Sequence, residues 1–239
     1  MIGGTTAEWS VELKDVKKTY RMGSIEVPAL RGISLRVARG EFLAIAGSSG
    51  CGKTTLLNII GGLDRADSGE VLVEGENLQL LSAAGLAGLR LRRIGFVFQA
   101  YNLLPVLTAL ENAEFTLLLQ GLPAKQRKER VENLFSEIGL AGLENRRPGE
   151  LSGGQQQRVA VARAMVTEPA LVLADEPTAN LDSTTATALL DVMARLNRTH
   201  GTTFVYATHD PQVMARAHRL IRLRDGQIAS DVVNSDRTL

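Results

Sequence analysis

A single cysteine among 239 residues excludes an internal disulfide and fits a reducing compartment. Net charge is nearly absent too: 27 Lys and Arg stand against 26 Asp and Glu, a formal +1, so no global excess draws the chain to nucleic acid or to an anionic membrane surface. No stretch approaches the roughly 20 apolar residues of a membrane-spanning helix, because Arg, Asp, Glu and Gly interrupt every candidate. Residues 1–10 lack the basic segment and apolar run of a signal peptide. Internal repeats and low-complexity linkers are missing as well. These absences point to a cytosolic globular protein, and any membrane process it serves would need another chain for the membrane part. What is present is ordinary: 44% hydrophobic and 22% charged residues, in a chain long enough to bury a substantial core.

Against that plain background stands Gly47-Ser48-Ser49-Gly50-Cys51-Gly52-Lys53-Thr54-Thr55. It fits the phosphate-binding pattern G-x-x-x-x-G-K-[ST], with an apolar strand pattern at 42–46 before it and a helix pattern opening at Thr55 after it. Glycines let successive backbone N–H groups turn toward phosphate oxygens, and the helix N-terminus adds partial positive charge at the same point. Lys53 is expected to reach the β and γ phosphates, and the Thr54 hydroxyl to ligate Mg²⁺. This loop binds a nucleotide. Cys51, inside it, is expected to block phosphate binding when alkylated and to be shielded by ATP.

Around the loop, Val11, Leu13 and Val16 among charged neighbours predict an exposed strand, and 33–37 alternates again. Two early antiparallel strands of this kind predict a small β layer beside the main sheet. Strands are also predicted at 69–73, 94–99, 171–174, 202–207 and 220–223, the last turned by Asp225-Gly226. Helices are predicted from Ser82 to Arg90, over 109–120 behind a Thr108/Glu111 capping box, over 124–138, from Gln156 to Ala164 and over 181–198. Lys125, Arg127, Lys128 and Arg130 read as a solvated helix face. Trp9 has no assigned role. Alternating strands and helices with helices inserted in the middle make the fold class α/β.

Two further constellations carry chemistry. Asp175-Glu176 closes an apolar strand, where ligand groups of an open α/β sheet are expected. Asp175 would hold Mg²⁺ there, and Glu176 could take the proton of a water attacking phosphorus. Leu151-Ser152-Gly153-Gly154-Gln155 offers N–H groups and a hydroxyl at a helix start, which by itself is either an anion site or an ordinary cap.

With Gln156-Gln157-Arg158 behind it, that pentapeptide resembles the signature motif of ATP-binding-cassette (ABC) ATPases. The other motifs of the family stand in order: the 47–55 loop, Gln99 after a strand, Asp175-Glu176, Asn180-Leu181-Asp182 and His209. The resemblance spans essentially the whole chain. It implies one ABC nucleotide-binding domain over 1–239: a P-loop ATPase core with a mostly parallel sheet and an N-terminal antiparallel β layer (1–98 and 167–239), and a helical subdomain at about 99–166. It implies that Tyr20 stacks on adenine, that 47–55 cradle the phosphates, and that Thr54, Gln99 and Asp175 hold Mg²⁺. Glu176 would act as base, positioned by His209, which would also bond the γ-phosphate; Lys53 and Gln99 would complete the catalytic set. Ser152, Gly153, Gly154, Gln155 and Asp182 would act on ATP bound to a second copy, met head to tail. Partners are then a second copy and a separate integral membrane permease, with the chain peripheral on the cytoplasmic face and no nucleic acid expected. Tyr20-Arg21-Met22-Gly23, residues 27–32, Asn102-Leu103-Leu104-Pro105 and residues 108–112 resemble the lipoprotein-releasing and macrolide-exporter subfamily, whose relatives include a cell-division cassette. A DNA-repair or chromosome-maintenance ATPase shares the signature but usually carries a long coiled coil before it. Here fewer than 100 residues separate Thr55 from Leu151, without sustained heptads.

Overall fold

The computed structural model describes residues 8–234. Two long strands, β1 (Trp9–Met22) and β2 (Ile25–Ala38), form an antiparallel hairpin that β4 (Ser68–Val73) and the short β5 (Glu76–Asn77) extend to a four-stranded sheet, β2-β1-β4-β5. This is the expected antiparallel layer. Its first strand runs well past the 11–16 core of the alternating pattern, because register shifts let it stay paired through breaks in the alternation.

The second sheet follows the order β10-β9-β3-β8-β7-β6. It comprises β3 (Phe42–Ala46), β6 (Ile94–Val97), β7 (Leu171–Asp175), β8 (Thr203–Thr208), β9 (Arg219–Arg224) and β10 (Gln227–Val233). All neighbours pair in parallel except β10 on β9. Strand polarity therefore brings several carboxyl ends to one edge: Ala46 lies level with Thr208, Asp175 with Ala207, and Val97 with Ala174.

Helices α1 (Lys53–Ile60), α2 (Ala83–Arg93), α3 (Ala109–Leu119), α4 (Ala124–Ile138), α5 (Gly153–Met165), α6 (Ser183–His200) and the one-turn α7 (Pro211–Met214) complete the chain. The alternation of side chains along the central strands divides the core in two. Phe42, Val172, Phe204 and Tyr206 face the apolar stripes of α3, α4, α5 and α6. Leu43, Leu173 and Val205 face α1, α2 and the antiparallel layer. Among the described residues no helix is long and apolar enough to cross a membrane.

Two local expectations need correction. Helix α5 starts at Gly153, not Gln156, because Ser152 caps it through Gln155 N–H (3.3 Å) and leaves no room for a loop. Arg127 is not a solvated charge: it donates to Glu114 (3.1 Å) and to the Leu122 carbonyl (2.7 Å), fastening α4 to α3.

Candidate active site

The loop between β3 and α1 forms the floor of a cavity of about 650 Å³. Gly52 precedes α1 at φ 107°, and a Cβ there would lie 2.6 Å from the Ala29 carbonyl oxygen, so only glycine fits this position. Helix α1 has no side-chain cap and no acidic residue in its first turn, so its leading N–H groups are left for an anion from the cavity. The Lys53 ammonium is buried and donates to the carbonyls of Gly47 (2.8 Å) and Ser48 (3.1 Å), which hold it within the loop.

The cavity gathers Tyr20, Ser48, Ser49, Gly50, Gly52, Lys53, Thr54, Thr55, Gln99, Glu176 and His209 from five separate chain segments. Glu176 directly follows β7 and adopts a left-handed backbone, φ 46°, with its N–H donating to the Ala207 carbonyl (3.0 Å). Such a conformation is costly for a residue with a Cβ and persists only where the surroundings impose it. Its carboxylate accepts a hydrogen bond from His209 Nδ1 at 2.8 Å. A carboxylate can only accept, so Nδ1 carries the proton and Nε2 points away from that bond.

Asp175 sits deeper, in a smaller adjoining cavity that Thr54 also lines. Burial pushes its carboxyl up from the ordinary range; the Thr54 hydroxyl, hydrogen-bonded to it, acts in the opposite direction, and the neighbouring Glu176 charge adds to the rise. Asp175 Oδ1 is buried without a hydrogen-bond partner. A hydroxyl, a carboxylate with an orphaned oxygen and the amide of Gln99 are hard oxygen donors of the kind Mg²⁺ takes, so these residues fit the ion.

Tyr20 is tied down at its far end. Its hydroxyl donates to Asp64 Oδ2 (2.7 Å), and the Lys18 ammonium lies 5.1 Å from the ring centroid while donating to Asp64 Oδ1 (2.9 Å). Burial, then the bond to Asp64, pushes the phenol up. Asp64 escaped the sequence reading, since a lone acid after a glycine pair carries no pattern.

Ser152, Gly153, Gly154, Gln155 and Asp182 do not line the Tyr20–Lys53–Glu176 cavity. Ser152 and Gln155 form a reciprocal capping box at the start of α5. Gly154 lies so close to Thr185 that any Cβ would overlap its methyl group. Asp182 caps α6 by accepting from Thr184 N–H (3.1 Å) and Thr185 N–H (3.0 Å). The Thr185 hydroxyl and then these N–H groups hold its carboxyl below the usual range. Cys51 is buried with its Sγ beside Gly47 and does not line the cavity, so little of its thiol is exposed to reagents.

A glycine-rich loop before a helix, a hydrogen-bonded Glu176–His209 pair and a capped glycine helix start on one α/β frame match what comparison with known proteins finds. The family model for ABC transporters matches residues 30–179. The chain belongs to the ABC transporter family. It is an ATPase of that family, with the P-loop fold and an ATP-binding site. A macrolide export ATP-binding/permease protein, MacB, from Syntrophobacter fumaroxidans is 49% identical over 220 residues, 91% of this chain but 31% of the relative. The chain thus spans about a third of the length of the macrolide export proteins it matches. An uncharacterized ABC transporter ATP-binding protein of Thermotoga maritima is 49% identical over 218 residues, 91% of this chain and 93% of the relative. Among solved structures, the dimeric post-hydrolysis state of the ATP-binding cassette MJ0796 bound to ADP and Pi superposes with a TM-score of 0.87 at 41% identity, covering 96% of this chain and all of that one.

Proposed function

We propose that this ABC cassette is the ATP-hydrolysing subunit of a transporter: two copies close head to tail on ATP, and the cycle moves a separate membrane permease of the macrolide-export or lipoprotein-release type. The observation that carries this reading is the separation within one chain of the Glu176–His209 cavity from the Ser152–Gln155 helix start. Each half is built to face an anion, and a two-fold pairing lets one copy's helix start close the other's cavity. The relatives' names and the dimeric form of the solved cassette support the partner and the pairing.

The chemistry follows from the side chains in place. Backbone N–H groups of 48–53 and the Lys53 ammonium hold the phosphates. Tyr20 offers its ring face to the base. Thr54, Asp175 and Gln99 would hold Mg²⁺, which supplies charge neutralisation at the phosphate oxygens. Glu176 accepts a proton from water as the water oxygen bonds to the γ-phosphorus, and the bond to the leaving ADP oxygen breaks with its electron pair passing to ADP. His209 keeps the Glu176 carboxylate oriented through its Nδ1 proton.

Glu176→Gln keeps shape and removes the base. Turnover is expected to fall by about 10²–10⁴-fold, with ATP affinity retained and an ATP-stabilised dimer appearing by size-exclusion chromatography with light scattering. Near-normal hydrolysis by this variant would remove Glu176 as base, and a strictly monomeric variant in saturating ATP would remove the pairing.

A further inference from the structure

Two side-chain atoms among the described residues are buried without a partner: Asp175 Oδ1 and Gln157 Oε1. The first faces the proposed ion. The second belongs to a residue with no role in the chemistry above. Gln157 lies on α5, five residues past the Ser152 cap, and is fully buried. Its Nε2 donates to two carbonyls, Pro177 O at 2.7 Å and Phe98 O at 3.2 Å. These belong to the residue directly after Glu176 and the residue directly before Gln99. Asn180 adds a bond from the loop after Glu176 to the Gln99 carbonyl (3.0 Å).

We infer that Gln157 is a positioning residue that sets Glu176 and Gln99 jointly from the helix that Ser152 caps. The inference rests on the proposed roles of Glu176 and Gln99. A carboxamide with one half unsatisfied is a poor choice for pure packing, since an apolar residue of the same length would fill the space without stranding an acceptor. Its donor half explains its place. A single –NH₂ group gripping both carbonyls makes the spacing of the two loops a property of α5. Movement of the Ser152 end along the helix axis would therefore reach both loops, while the P-loop, which α5 does not grip, would keep its hold on nucleotide.

Gln157→Met tests this in the full 239-residue chain. Methionine matches the length and volume of glutamine but donates no hydrogen bond. The expected result is a kcat lower by on the order of 100-fold, with KM and directly measured nucleotide Kd unchanged. Gln157→Asn, which withdraws the amide by one methylene, is expected to give the same split and serves if the methionine variant does not fold. A kcat within about twofold of wild type in a folded variant overturns the inference, as does a loss of kcat matched by equal loss of affinity. Glu176→Gln assayed in parallel separates the two ideas: if it is inactive while Gln157→Met is active, the inference fails and the proposed base stands; if it hydrolyses normally, the proposed base fails first.

Discussion

At the scale of single residues, Tyr20 shows how a ring becomes a wall. Two contacts hold it, the bond to Asp64 and the Lys18 ammonium over the ring, and Asp64 joins both. Tyr20→Phe and Asp64→Asn are each expected to raise KM for ATP about fivefold, a part of the worth of a hydrogen bond to a solvent-screened carboxylate, and to leave kcat unchanged. An unchanged KM in both variants would separate the ring's hydroxyl from nucleotide binding. The same network has a signature in pH. Burial works against the Asp64 carboxylate, but the bonds from Lys18, Tyr20 and the Arg65 N–H outweigh it and hold its acidity below the usual carboxylate range. A depressed carboxyl contributes stability above its unfolded value and loses it as pH falls through the folded one, so below about pH 4 wild type should lose stability more steeply than Asp64→Asn. Urea titrations across pH 3–6 compare the two slopes. None of this was legible beforehand: the position of Tyr20 ahead of the loop pointed to the base, but Asp64 is 44 residues away and meets it only through the sheet. Gln157 stood in view behind the signature, but its contacts with the Phe98 and Pro177 carbonyls were hidden for the same reason. A glutamine on a helix shows no periodicity, and its partners belong to two distant loops.

At the scale of elements, legibility tracks local chemistry. The Thr108/Glu111 capping box and the Ser82 cap both start helices in the expected place, because a cap is a bond between residues three apart. The start of α5 was misplaced because two adjacent glycines disfavour helix on propensity. Here tertiary packing overrides propensity, since Thr185 and the Tyr101 hydroxyl leave no space for side chains at Gly154 and Gly153. That reading makes Ser152 both a cap and a proposed ligand, and the two can be pulled apart. Ser152→Ala should lower stability by about 1 kcal/mol through loss of the cap. Ser152→Asp retains an oxygen acceptor for the cap and so should keep stability, while setting a negative charge where the second copy's phosphate is proposed to lie. Equal unfolding midpoints for the alanine variant and wild type would show that Gln155 alone holds the helix start.

At the scale of the whole molecule, the α/β frame was legible because apolar strand patterns alternate with helical ones along the chain, and the mostly parallel sheet came with the family resemblance; the strand order β10-β9-β3-β8-β7-β6 was not legible, because it is set by pairings between distant segments. The second core was not, since which face each strand presents depends on partners far away. Among the described residues, helices α3 to α5 share one core with α6 and the central sheet. The proposed head-to-tail closure of the site needs two chains, and mixing defective copies tests it. Lys53→Ala disables a phosphate loop but leaves the Ser152 helix start intact; Ser152→Asp does the reverse. Each variant alone should be nearly inactive, because every site in its dimer carries the defect. In an equal mixture, half the dimers combine the two variants, and each of these has one site in which both defects meet and one site built entirely from intact parts. Activity should therefore return to about a quarter of wild type if the sites are shared head to tail. If loop and helix start instead served the same chain's nucleotide, every site in the mixture would still carry one defect, and mixing would restore nothing.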